Sequence, residues 1–187
     1  MIKPQRRVMR LRLEALLLAG VGLLLSTVGS SSEKGSERPS TTLTIVDLDG
    51  SRTPFSLQDL EKAGQTVENE CVCVGEVVGF IGIFDYGGVR LTDLLSRTKA
   101  AREASIYERR NMYIVCRGTD GYQVVASWCE LTQTPGGRRA LVAIAKDGAR
   151  LSADEGQFRL VFPTDKYVGR SVKWLETVEI RSALVGK

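Results

Sequence analysis

From Thr42 onward the chain is written in short alternating segments broken by turn residues, and this pattern restricts the folds open to it more than any other feature. Thr42 to Leu48 alternates apolar and polar side chains as a half-buried strand does, and Asp49-Gly50 supplies a turn. Gln65 to Val74 alternates again, which predicts Val67, Asn69, Cys71 and Cys73 on one face and Val72 and Val74 on the other. Met112 to Arg117 and Tyr122 to Ala126 flank Thr119-Asp120-Gly121, a hairpin signal because Asp-Gly tolerates the positive φ of a tight turn. Ala140 to Ala145, Phe158 to Phe162 and Trp174 to Ile180 are further strands. Helical spacing is brief. Ser56 caps a short helix that Gly64 stops, Val89, Leu91, Leu94 and Leu95 share a helical face, and Ser127 caps a helix running through Leu131. Strands and long helices do not alternate as a doubly wound sheet requires, so the expectation is an α+β domain over residues 42–182, with mixed β-sheets and short helices.

The N-terminal part follows a different logic. Five basic side chains (Lys3, Arg6, Arg7, Arg10, Arg12) and one acid (Glu14) lie in the first 30 residues, an apolar run spans Ala15 to Leu25, and small residues follow from Ser26 to Ser32. This is the three-part layout of a secretory signal, and the apolar run is shorter than the roughly 20 residues that cross a bilayer. Leu11 and Leu13 lengthen it, so residues 1–30 read as a signal peptide or an uncleaved N-terminal anchor, and the protein as periplasmic or otherwise extracytoplasmic. Residues 31–41 carry no apolar side chain and read as a flexible linker. The net charge of +4 is held entirely by the first 30 residues. Beyond them 21 basic and 21 acidic residues balance, which removes the electrostatic footprint of a nucleic-acid partner.

Histidine is absent from the chain, which eliminates Ser-His-Asp and Cys-His catalysis and the usual zinc sites. The glycines between 79 and 84 sit among apolar residues with no helix after them, so no phosphate loop is present. The four cysteines, Cys71, Cys73, Cys116 and Cys129, remain. An even number in an exported chain points to disulfides. A bridge between Cys71 and Cys73, two apart on one strand face, would be strained, so Cys71 is expected to pair with Cys116 or Cys129. A thiolate is also a soft ligand suited to a heavy metal centre.

Cys73-Val74-Gly75, followed by Tyr86-Gly87-Gly88-Val89-Arg90-Leu91-Thr92-Asp93-Leu94-Leu95, resembles the segment of the sulfite oxidase family in which a strand-borne cysteine precedes an aromatic-Gly-Val-x-Leu-x-Asp-Leu-Leu helix. Thr119-Asp120-Gly121-Tyr122 resembles that family's next hairpin. Phe158-Arg159-Leu160-Val161-Phe162-Pro163, with Gly169-Arg170-Ser171-Val172-Lys173-Trp174-Leu175 after it, is similar to the family's most recognisable stretch. The resemblance implies a sulfite-oxidase-type molybdopterin-binding fold. It also implies that Cys73 ligates molybdenum through its thiolate and that Arg170, Ser171 and Lys173 bind the cofactor near its phosphate. A guanidinium, a hydroxyl and an ammonium within four positions are suitable donors for that phosphate.

The departures from the family pattern carry information of their own. Glu76-Val77-Val78 stands where the family commonly has a polar pair such as Asn-Arg, Glu155-Gly156 where a His-Gly pair is frequent, and the second domain of sulfite oxidases proper is missing. Sulfite needs a cluster of arginines, and Arg170 has no obvious companion, so sulfite oxidation is not expected. Two readings follow from the resemblance. In the first, the chain is an exported molybdopterin-dependent oxidoreductase component whose redox partner is a separate membrane or periplasmic protein. In the second, it is a non-catalytic, metal-free pterin-binding sensor or adaptor that signals to such a partner, with Tyr86, Trp128 or Trp174 available to stack on the ring.

Overall fold

The first turn of the domain is set by Asp49-Gly50: Gly50 takes φ +81°, and the Asp47 amide closes the turn on the Ser51 carbonyl at 2.9 Å. It joins β1 (Leu43–Val46) to β2 (Arg52–Phe55). Leu43 and Ile45 are fully buried from β1, whereas in β2 only Phe55 is, as suits an edge strand that also carries Pro54. The computed structural model describes residues 40–184, so the N-terminal segment read as signal or anchor, and nearly all of the linker, lie outside the described residues.

Helix α1 (Leu57–Lys62) begins in a capping box in which the Asp59 amide donates to Ser56 Oγ and the Ser56 amide to Asp59 Oδ2. Then come β3 (Thr66–Gly75), β4 (Gly79–Arg90), three short helices α2 (Leu91–Leu95), α3 (Lys99–Glu103) and α4 (Ile106–Arg109), and the hairpin of β5 (Met112–Gly118) and β6 (Gln123–Ser127). Ser127 caps α5 (Trp128–Gln133), accepting from the Glu130 amide at 2.9 Å. The chain continues through β7 (Leu141–Lys146), β8 (Ala149–Arg150), β9 (Arg159–Val161) and β10 (Leu175–Ser182). One sheet runs β2-β1-β10-β5-β6, with β1 and β10 parallel and the other pairs antiparallel. The second runs β3-β4-β7-β8, with β9 also on β7, and is antiparallel throughout. The main core takes Leu43, Ile114 and Val178 from the first sheet, Val142 and Leu160 from the second, and Leu91 and Leu94 from α2, all with at most 2% exposure. Burial of this kind, at about 25 cal/mol per Å² of apolar surface, is what holds short helices that would not persist alone.

These mixed sheets with few short helices are the α+β arrangement expected, and Gly121 takes φ +84° in the Asp-Gly hairpin. Three local expectations are corrected. Val89 belongs to β4 and not to a helix: the strand continues to Arg90 because it pairs with β7 there, Val89 opposite Val142. Gly88 makes that pairing possible, since a Cβ at this position would collide with the Val142 carbonyl and the Ala143 Cα. Within β3 a bulge between Glu68 and Cys71, with Glu70 at φ +51°, breaks the simple alternation. Val67 is therefore exposed while Glu68, Cys71 and Cys73 are buried. Finally, all four cysteines are free thiols. Cys116 is sealed in the main core, whereas Cys71 lies in a separate small cluster with Cys73 and Tyr86, so the expected Cys71 bridge does not form.

Candidate functional site

The second, smaller cluster is where the unusual chemistry gathers. The bulge in β3 turns Cys71 and Cys73 inward, 4% and 5% exposed, against Tyr86 of β4. Facing them is the segment after β9, folded back so that Leu160 and Val172 bond each other's backbone at 2.9 and 3.1 Å. That bridge carries Ser171 to the side of Arg159. Cys71, Cys73, Arg159, Asp165, Tyr167 and Ser171 thus line one cleft, although almost a hundred residues of sequence separate its walls. Its unfilled space is about 10 Å³, close to that of a single water. The loop 162–171 is the wall a bulkier ligand must displace.

A chain of polar contacts ties the cleft together. Cys73 Sγ lies 4.0 Å from the Tyr86 hydroxyl, and the Arg159 guanidinium sits over the Tyr86 ring, 5.3 Å from its centre. Arg159 Nε donates to Ser171 Oγ at 3.0 Å, and Ser171 in turn donates to the Leu160 carbonyl at 2.8 Å. The other end of Arg159 forms an ion pair with the buried Glu155, which Lys146 approaches at 3.5 Å. Burial pushes the Tyr86 hydroxyl pKa well up, against the opposing pull of Arg159, so the group is a neutral donor across the ordinary pH range. Burial, reinforced by the Glu68 charge, pushes the Cys71 thiol up to about 11. Glu68 is itself held by Arg90 and Arg139: desolvation opposes its ionisation, but the bonds from the two guanidinium groups outweigh it and keep its carboxyl below the usual range.

The residues expected from the sequence are distributed unevenly around this cleft. Cys73 and Ser171 line it. Arg170 does not. Its guanidinium is spent on Asp165, in two bonds of 2.7 and 2.6 Å, and on Glu130 of α5 at 2.7 Å, and it lies over the Phe162 ring at 4.2 Å. The bonds to Asp165 raise its pKa further. Arg170 therefore clamps the loop 162–171 onto α5. Lys173 stands at the surface, 3.3 Å from Asp154. Of the three aromatic residues considered for stacking, only Tyr86 touches the cleft cysteines; Trp128 is buried in the main core, and Trp174 donates its indole N–H to the Ala153 carbonyl. Sequence reasoning missed Arg159 and Lys166. Arg159 had a signal, a lone charge inside the apolar stretch Phe158 to Phe162, since a cation in such a strand must face a partner. Lys166 lies with its ammonium 4.9 Å from the centre of the Tyr167 ring, next to the cleft, and among the described residues no carboxylate is in ion-pair distance of it.

No curated protein matches the sequence. Among solved structures, the chain is similar to the sulfane dehydrogenase SoxCD from Paracoccus pantotrophus, with a TM-score of 0.58 and 20% sequence identity over 81% of this chain. It spans only 40% of that structure's chain, and at this identity the likeness speaks for the fold. The family model described as "oxidoreductase molybdopterin binding domain" matches residues 34–184, and by that match the chain belongs to this family.

Proposed function

We propose that the chain binds a pterin-type cofactor at the cleft over Cys73, as the molybdopterin-binding domain of an exported oxidoreductase. The observation that carries this reading is the convergence of Cys73, Arg159 and Ser171 from distant parts of the sequence on one cleft. The donor set suits the metal end of such a cofactor: Cys73 is a free thiol, a soft ligand, with a neutral hydroxyl donor and a guanidinium beside it. When bound, molybdenum cofactor supplies two-electron oxidation–reduction. Cys73 is the metal ligand in this proposal, Ser171 and Arg159 orient the ligand, Arg170 fixes the loop that covers it, and Lys173 is kept as an outer contact for the phosphate. The basic and apolar N-terminal residues 1–30 support an extracytoplasmic location, as signal or anchor, and with it a membrane or periplasmic redox or signalling partner.

One observation favours the metal-free reading of the same cleft, a pterin-binding sensor. Each cation named for the phosphate already has a carboxylate: Arg159 has Glu155, Arg170 has Asp165 and Glu130, and Lys173 has Asp154. A ligand without a phosphate asks nothing of them. Protein purified from a molybdenum-replete host separates the two. Equimolar molybdenum that disappears in Cys73→Ser supports the first reading; no metal, but a pterin extracted from both proteins and recognised by its fluorescence, supports the second. Neither metal nor pterin, with no thermal shift on adding reduced pterins, overturns both.

A further inference from the structure

The β3–β4 hairpin runs out past the body of its sheet. Residues 71–75 pair with 84–79, but β7 pairs with β4 only from Tyr86 to Arg90, and β3 is the sheet's edge. The projecting ribbon is apolar on its outer face and at its tip, while its inner face carries the buried Cys71 and Cys73. Val72, Ile83, Val74 and Phe80 follow one another across the two strands on one face. Toward the tip, Val78 and Ile81 close over Gly75. Val77 is 97% exposed, Val78 75% and Phe80 67%. No charged residue occurs from Val77 to Phe84, and no Lys or Arg from Ala63 to Val89, while Glu70 and Asp85 flank the apolar part and an exposed Glu76 opens the tip turn.

We propose that this hairpin inserts shallowly into the surface of a zwitterionic phospholipid bilayer. A second copy of the chain fits poorly, because a two-fold contact would set Glu70, Glu76 and Asp85 against their own images. A partner protein's groove would cover the outer face and leave the fully exposed tip in water. A bilayer interface receives the outer face and the tip together, with Glu76 at the depth of the headgroups. The acidic flank selects against anionic headgroups, so attraction comes from apolar burial alone. The free backbone groups along the outer edge of β3 stop the ribbon at headgroup depth, where water still reaches them. The N-terminal sequence brings the domain to such a surface. With the apolar run Ala15 to Leu25 in or crossing a membrane, the 11-residue linker 31–41 reaches at most about 40 Å, which keeps the domain close to that surface. Because Val72 belongs both to the ribbon and to the cleft over Cys73, insertion also sets the cleft beside the membrane.

The proposal rests on the export reading for how the domain reaches a bilayer, and its test does not depend on that reading. In the full chain, Val78→Trp places a fluorophore at the tip, and Tyr107→Trp places one on the exposed face of α4 as a control. Each is mixed with phosphatidylcholine–phosphatidylethanolamine vesicles carrying brominated acyl chains, and quenching is read above the common background of Trp128 and Trp174. The expected result is quenching of the tip reporter and not of the control. Adding phosphatidylglycerol should weaken it, and Phe80→Asp in the tip-reporter protein should raise the lipid concentration required by at least about tenfold, the effect of withdrawing one large apolar side chain. Equal quenching of the two reporters, or none, overturns the proposal. Hydrogen exchange of the unmodified protein guards against a misfolded variant: amides 76–82 should slow when vesicles are added, and unchanged rates overturn it as well. Recovery of the chain from the cytoplasm would refute export while leaving these results to decide the hairpin.

Discussion

Glu68 is the buried charge on which the geometry of β3 depends, and Glu68→Gln measures what it contributes. Its carboxylate, 4% exposed, accepts from Arg139 Nε at 2.8 Å and pairs with the terminal nitrogens of both Arg139 and Arg90. Hydrogen bonds to charged groups contribute about 1.5–3 kcal/mol each. Arg139 is 46% exposed and regains water when released; Arg90 is 23% exposed and regains less. Removing the charge while keeping the shape should therefore cost about 2–3 kcal/mol, below the value for an ion pair sealed from solvent. With a urea slope of about 2 kcal/mol per M, the unfolding midpoint falls by about 1–1.5 M at pH 7. The pH dependence gives an independent check. Because the folded carboxyl lies below its unfolded value of about 4.3, its contribution is complete above that pH and is lost as the pH falls through the folded pKa. The gap between the two proteins should hold from pH 7 to about 5, start to narrow as the pH falls below about 4.3, and close only once the pH has passed the folded pKa. A midpoint shift under about 0.3 M at pH 7, or a gap that does not narrow in acid, refutes the account. Glu68 also adjoins the bulge that turns Cys71 and Cys73 inward, so the variant should show faster thiol modification at Cys71.

Three further expectations use other parts of the molecule. A disulfide reagent at pH 8 should modify the half-buried Cys129 first, while Cys116, pushed up to about 12 by burial, reacts only on unfolding; peptide mapping showing Cys116 labelled as fast as Cys129 would contradict the core described. Phe158→Ala should cost about 3–5 kcal/mol in urea unfolding, against less than about 0.5 for Tyr107→Ala, since the first side chain is fully buried and the second is 72% exposed. Gly88→Ala should lower stability by at least about 1–3 kcal/mol, because the added methyl meets the Val142 carbonyl where β4 and β7 pair; a thermal midpoint unchanged from wild type would show that this crossing relaxes freely.

Much of the fold was legible in the sequence where a local signal coincides with a local structure. Asp120-Gly121 turns the hairpin, Ser56 and Ser127 cap their helices, and alternating or continuous apolar runs mark β1, β5, β6, β7 and β10. The errors fell where a neighbour in space overrides the local pattern. Val89 has helical spacing with Leu91, Leu94 and Leu95, yet hydrogen bonding to β7 keeps it extended. The alternation of β3 was read without its bulge, which nothing in the residues 65–74 announces and which decides that Glu68, not Val67, is buried.

The same division runs through the candidate site. By itself the sequence determined that histidine chemistry is excluded, that the charge excess belongs to the first 30 residues, and that Cys73 sits on a strand ahead of a glycine-rich segment and a short helix. These are matters of composition and of neighbours along the chain. Only the tertiary structure decided which charges remain available. Arg170 and Lys173 look like free phosphate donors in sequence, but folding brings Asp165, Glu130 and Asp154 to them. Arg159, inconspicuous in sequence, is carried to Tyr86 and Ser171 beside Cys73. The physical reason is that a charge acts on what lies within a few ångströms of it, and distance in space is fixed by sheet pairing and loop return, neither of which a single stretch of residues encodes.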